Sequence, residues 1–276
     1  MIRVELGKLL RRPRTWASVL LICALPAVVA VLLRATHVAP PPGQGGAFLS
    51  AVLHNGSLYP AAALAIVLPV FLPVAVAVVA GESVAGEAST GMLRYLLLRP
   101  VGRTRLLVAK LVAMTAYVLG AVLAVAATSY LVGVLLFGTG TPAAVGQPGG
   151  VTSLSGVALS PAQLGLRLAA AIGYIAVSML GVGAIALFLS TLTDSALGAA
   201  LGALAALVAS EVLVALDAAA AIKPYLPTTY WLAWVDFFRN PVFWHDIQRG
   251  LGIQAVYVVL LLGAAWANFA TRDITS

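Results

Sequence analysis

Carboxylates, imidazoles and thiols are scarce in this 276-residue sequence, and their spacing excludes most of the chemistry they support elsewhere. His37, His54 and His245 lack the short intervals that bring two ligands to one metal ion, so no metal site is expected. Cys23 is the single cysteine, which rules out a disulfide framework within the chain. No serine, threonine or cysteine nucleophile has a base and an orienting acid in a pattern that would converge on one site. A phosphate-cradling glycine loop of the P-loop form is absent, so the chain is not expected to hydrolyse nucleotide by itself. Within the long apolar runs Glu211 is the only acid. A carboxylate there is costly unless neutral, paired or facing water, which marks it for a translocation path. It also sits within about two turns of the expected outer boundary, where a glutamate can reach the interface instead.

The most informative polar stretch runs from Gly81 to Lys110 and contains Glu82, Glu87, Arg94, Arg99, Arg103, Arg105 and Lys110. Ser89 or Thr90 can cap the start of a short helix here, and Pro100 pushes Arg99 out of helical geometry. Leu93, Leu96 and Leu97 then share one apolar face. If that helix projects from the membrane, the ridge, flanked by Glu87, Arg94 and Arg99, suits docking into a groove on a soluble partner. The same helix lying on the membrane surface is the alternative.

What must position these residues is a membrane-embedded bundle. The sequence is 62% hydrophobic and 9% charged, against about 45–50% and 25% in soluble domains. The apolar residues sit in uninterrupted runs of the ~20 residues that a bilayer core requires. Six spans are expected, at about 15–33, 59–80, 105–137, 164–189, 195–216 and 250–270, making an all-α membrane protein of one transmembrane domain. The third run exceeds a bilayer's need and should tilt or extend beyond it. Pro26, Pro69 and Pro73 fall inside spans, where membrane helices tolerate them as kinks. The stretch from Thr15 to Leu33 is too long for a secretory h-region, and Ala39 before Pro40 is a poor cleavage site, so a retained first span is expected.

Lysine and arginine set the orientation. With the N-terminus inside, Arg3, Lys8, Arg11, Arg12, Arg14, Arg94, Arg99, Arg103, Arg105, Lys110 and Arg272 are cytoplasmic, eleven against the five of Arg34, Arg167, Lys223, Arg239 and Arg249. By the positive-inside rule both termini are cytoplasmic in a cell membrane, and the pI of about 9.9 needs no nucleic-acid partner. Ile2, Leu6, Leu9 and Pro13 recur at helical spacing before the first span. This fits either an amphipathic helix on the cytoplasmic leaflet or an ordinary basic flank. Outside, 34–58 and 138–162 read as loops rich in glycine and proline. Residues 217–249 gather Tyr225, Tyr230, Trp231, Trp234, Phe237, Phe238, Phe243 and Trp244 among Asp236, Arg239, Asp246 and Arg249. Short interfacial or re-entrant helices closing the outer side, or a simple aromatic belt, would both use that composition. Gly198 and Gly202 offer a close-packing stripe of a kind common in a chain this rich in alanine and glycine.

The segment between the second and third spans resembles the cytoplasmic signature of type-2 ATP-binding-cassette (ABC) transporter permeases: an acid, a small-residue turn, a Leu-Leu helix, a proline, then basic residues entering the next span. Those positions here are Glu87, Gly91, Leu96-Leu97, Pro100, Arg103 and Lys110. The resemblance continues in Leu189-Ser-Thr-Leu-Thr-Asp-Ser195 and in Trp266-Ala-Asn-Phe269 followed by Arg272-Asp273, and the six-span layout covers nearly the whole chain. Met92 departs from the family, which often has threonine at that position.

The resemblance implies a coupling helix that joins this subunit to separate ABC ATPase subunits, with ATP and magnesium bound there and no cofactor on this chain. Gly91, Met92, Leu93, Arg94, Leu96 and Leu97 would touch the ATPase, and Glu82, Glu87, Pro100, Arg103 and Lys110 would support the segment. A second permease subunit, identical or different, would complete the path, and export of an apolar or amphipathic compound is the expected activity. A membrane anchor or assembly subunit that moves no substrate is a second class, and an intramembrane enzyme is a third, disfavoured by the empty spans.

Overall fold

The computed structural model describes residues 1–36, 48, 52–53, 55–89, 103–139, 153–155, 157 and 159–271. The described residues are helical, with no strand among them. Helix α1 (Ile2–Arg11) precedes α2 (Pro13–Thr36), with Pro13 at the first helical position, where its missing N–H costs nothing. A 3-10 turn, Gly56–Leu58, leads into α3 (Tyr59–Val67) and α4 (Phe71–Gly81). Short α5 (Ala85–Ser89) follows, then α6 (Arg103–Phe137), α7 (Pro161–Leu192), α8 (Ala196–Ala215) and α9 (Trp244–Thr271).

Five of these helices, α2, α6, α7, α8 and α9, are long and apolar enough to cross a membrane. The second expected run is broken: α3 and α4 form a pair bent by 61°. Pro69 and Pro73, four apart, explain the break. Each lacks a donor and crowds the carbonyl one turn back, so a rung of the helical ladder is lost on each of two successive turns. The pair reaches through the bundle as one bent element or two short ones. Helix α3 is almost wholly buried, and Tyr59 donates a hydrogen bond to the Pro26 carbonyl of α2.

Helix α7 is the central post. It packs against α4, α6, α8 and α9, and 61% of its most apolar window is buried, against 17–28% for α2, α8 and α9. Small residues allow this: a Cβ on Gly181 or Gly183 would collide with Gln254 of α9 or Met114 of α6. In lipid such close approach supplies the association that hydrophobic burial supplies in water. The start of α7 is fixed by a capping box, in which Gln163 N–H donates to Ser160 Oγ at 3.2 Å and Ser160 N–H to Gln163 Oε1 at 3.0 Å. At the same end of the bundle Gly56 and Gly133 bring the 3-10 turn backbone against α6, with no room for a Cβ on either.

The outer helices leave large apolar side chains bare, among them Leu20 and Leu21 on α2, Leu131 and Leu135 on α6, and Val259 and Leu260 on α9. Exposure of that extent suits acyl chains or another protein rather than water. Residues 217–249 do not form α-helices before Trp244. They fold as 3-10 turns, Asp217–Ala219, Lys223–Tyr225 and Ala233–Phe238, because Pro224, Pro227 and Pro241 interrupt any longer ladder. Half of the aromatic side chains turn inward: Trp231, Trp234, Phe237 and Phe238 are buried, with Trp234 and Phe238 against Phe48, while Tyr225, Phe243 and Trp244 stay exposed. Tyr174 Oη donates to the Tyr230 carbonyl at 2.6 Å, and Gln254 to that of Pro227 at 2.7 Å, tying the segment to α7 and α9.

Candidate functional site

At the end of the bundle that carries α1, the sequence folds a basic helix back against the start of α6. Glu5 and Lys8 lie three apart and so share one face of α1. That face meets Lys110 of α6 and Glu87 of α5. Lys110 Nζ lies 2.6 Å from Glu87 Oε2 and 3.6 Å from Glu5 Oε2, and also donates to the Ser83 carbonyl. Lys8 Nζ lies 2.8 Å from Glu87 Oε1 and 2.9 Å from Glu5 Oε1. The result is a closed ring of alternating charge. The side chains of Lys110 and Glu87 are only 1% and 3% exposed.

A single charge so buried would cost several kcal/mol, and the ring offsets that cost by pairing every charge with two of the opposite sign. Burial alone pushes the Glu87 carboxyl up, yet attraction and hydrogen bonds from Lys110 and Lys8 outweigh it and hold the group below the ordinary carboxylate range. Burial likewise lowers Lys8, but Glu87 and Glu5 outweigh it and raise the ammonium above its ordinary value. With each Glu87 oxygen held by a lysine, the carboxylate has no basicity to spare for proton transfer. The adjoining cavity, about 40 Å³, has room for water but for no organic substrate. This arrangement holds helices together.

Around the ring the turn between α4 and α5 is held from three sides. Ser190 Oγ, fully buried in the last turns of α7, accepts from Val84 N–H at 3.1 Å and Ala85 N–H at 2.9 Å. It donates to the Gly81 carbonyl at 2.7 Å. Glu82 pairs with Arg14 at 2.6 Å and Arg12 at 3.7 Å, at the junction of α1 and α2. Val84, Leu106, Leu107, Leu187 and Phe269 form a small apolar cluster beneath the turn. The end of α9 docks beside it, with Asn268 donating to the Thr191 carbonyl at 2.8 Å and Trp266 to Thr104 Oγ1 at 2.9 Å.

Of the expected site residues, Glu87 and Lys110 are brought together in the ring, Glu82 pairs instead with Arg12 and Arg14, and Arg103 is the first residue of α6. Gly91, Met92, Leu93, Arg94, Leu96, Leu97 and Pro100 lie outside the described residues, as do Thr90 and Arg272-Asp273. Ser89 is the last residue of α5, and its hydroxyl turns back to the Gly86 carbonyl at 3.1 Å. Glu211 stands apart, exposed near the end of α8 remote from the ring. Sequence reasoning missed Glu5 and Lys8, whose signal was an acid and a base at i,i+3 in an otherwise cationic helix. It also missed the role of Ser190 within Leu189–Ser195. Among the described residues no three histidine, cysteine or acidic side chains could share a metal ion.

Five long apolar helices, one of them a packed central post, are the make-up of a multi-pass membrane protein. Residues 27–275 match the family described as "Protein of unknown function (DUF2705)", and the chain belongs to that family. No curated protein matches the chain.

Proposed function

We propose that this chain is the transmembrane permease subunit of an ABC transporter of the type-2 kind, driven by ATP hydrolysis in a separate ATPase. In this reading the bent pair α3–α4 is one broken span, which makes six, and the end carrying α1 faces the cytoplasm in the cell membrane. One observation carries it. Three stretches far apart in sequence, 82–87, 190–195 and 266–269, meet at the two roots of segment 90–102, the place where the resemblance puts a coupling helix.

The mechanism follows from that anchoring. A pull on 90–102 by closing ATPase subunits reaches α4 and α5 through one root and α6 through the other. The ionic ring ties α1, α5 and α6, and Ser190 ties the same turn to α7, so the pull reaches several spans together. A bundle with two packings, one favoured by ATP binding, would then alternate access of a path at the interface with a second permease subunit. Exposed Glu211 on α8 suits such an interface, and the bare apolar faces of α2, α8 and α9 suit lipid and that second subunit. The cargo would be an apolar or amphipathic compound moved outward.

The test is a pair of substitutions in the coupling segment, Leu93→Asp and Leu97→Asp. Each should abolish co-purification with the ATPase and remove substrate-stimulated ATP hydrolysis while the permease still elutes as a folded species. Full capture and full stimulation by both variants would overturn the assignment. A candidate cargo that never stimulates hydrolysis in an intact complex would instead favour an anchoring subunit.

A further inference from the structure

Next to the ionic ring, on the open side of α1, lies a groove of about 540 Å³. Its walls include Arg3, Lys8, Arg11 and Arg12, with Gly7 between them, and no carboxylate lines it among the described residues. Arg3 and Arg11 are exposed, and neither has an acidic partner among the described residues. A Cβ on Gly7 would meet nothing within 4 Å, so the helix backbone is open to approach along that face. The groove's surroundings are apolar: Val4, Leu10 and Trp16 are each more than half exposed. Trp16 Nε1–H donates to the Leu10 carbonyl at 2.7 Å, which fixes the indole at the mouth of α2. Trp at that position marks the level of lipid headgroups, and the bare apolar face of α2 continues from it toward the acyl chains.

From these features we infer that the groove is a binding site for the headgroup of an anionic phospholipid, with its phosphate among Arg3, Arg11 and Arg12 and its chains along α2. Charge complementarity and the apolar rim favour a lipid over a soluble acidic protein, which would meet Val4, Leu10 and Trp16 as bare hydrophobic surface. The site differs from the diffuse attraction of any basic flank because Arg3, Gly7 and Arg11 recur every four residues. That spacing sets two cations, unpaired among the described residues, on one face of α1, with Lys8 and Arg12 beside them. It is also linked to the ring. Lys8 and Arg12 line the groove and at the same time hold Glu87 and Glu82. The inference rests on the membrane character of the chain and does not depend on an ATPase partner.

Native mass spectrometry of the full chain in neutral detergent, titrated with phosphatidylglycerol or phosphatidylcholine, tests it. Phosphatidylglycerol should give a discrete first adduct at lower concentration than phosphatidylcholine. Arg3→Gln and Arg11→Gln should each weaken that adduct about fivefold, the effect of one cation near an anionic surface. Arg11→Lys, which keeps the charge, should retain most of it. Arg105→Gln, which removes the same charge from an exposed position at the same end of the bundle, should leave it unchanged. Equal weakening by Arg105→Gln would mean diffuse attraction and overturn the site, as would equal binding of the two lipids. Displacement of the lipid by an equal concentration of glycerol phosphate would assign the groove to a soluble phosphate ester. Loss of capture of a soluble protein by the Arg3 and Arg11 variants, with lipid binding intact, would assign it to that protein.

Discussion

Lys110 and Glu87 face one another at 2.6 Å across the joint between α5 and α6, both nearly sealed from solvent. The pair is buried deeply enough that removing one partner leaves the other under-compensated, Glu87 with Lys8 alone and Lys110 with Glu5 alone at 3.6 Å. Glu87→Gln or Lys110→Met should therefore lower stability by about 3–5 kcal/mol. The double variant Glu87→Leu/Lys110→Met should recover much of that loss, because it strands neither member of the pair. Thermal unfolding in detergent, followed as a double-mutant cycle, checks both. Additive losses would show that the contact contributes no coupling.

The ring should also set a pH window. Glu87 is depressed on folding, so its contribution is full above the ordinary carboxylate value of 4.5 and is lost as pH falls below it. Lys8 is raised, so its contribution is full below 10.5 and is lost as pH rises beyond. Unfolding midpoints measured from pH 3 to pH 11 should show a plateau with a fall at each end. The acid fall should flatten in Glu87→Gln. An unchanged acid limb in that variant would count against the assignment.

Ser190 makes three hydrogen bonds with a single hydroxyl. Ser190→Ala leaves two buried N–H donors and a carbonyl without it, at about 1–3 kcal/mol for each group left unsatisfied. The loss should be local. Amide exchange at Val84 and Ala85 should speed up by at least about tenfold, while the core of α7 keeps its protection. Uniform acceleration along the chain would mean global destabilisation instead.

At the opposite end, Gly56 lies against the backbone of Gly133. Gly56→Ala should force the 3-10 turn away from α6 and cost about 1–3 kcal/mol. Gly120→Ala, on an open face of the same helix, should be neutral or slightly stabilising, since alanine is the better helix former. Similar midpoints for the two variants would contradict the close approach.

Long apolar runs made the spanning helices legible from sequence, because length and hydropathy are local properties. Other features were legible only in part. Pro69 and Pro73 read as kinks, but their spacing of four residues turned a kink into a break. The aromatic residues of 217–249 were plain, yet the burial of half of them depended on 3-10 turns that carry no periodic signal. Glu87 and Lys110 stood out through a resemblance, whereas Glu5 and Lys8 did not. Nothing local to residue 5 announces a partner at residue 110, since that contact exists only once α1 has folded back on α6.

The ring of Glu5, Lys8, Glu87 and Lys110 carries two positive and two negative charges and so sums to zero. Each unit of charge carried through the full membrane voltage does work of about 2.3 kcal/mol per 100 mV. Four charges displaced as one body transport none. Movement of the ring as one body therefore does no work against the membrane potential, and only its rupture, which separates a lysine from its glutamates, would make these four charges feel the field.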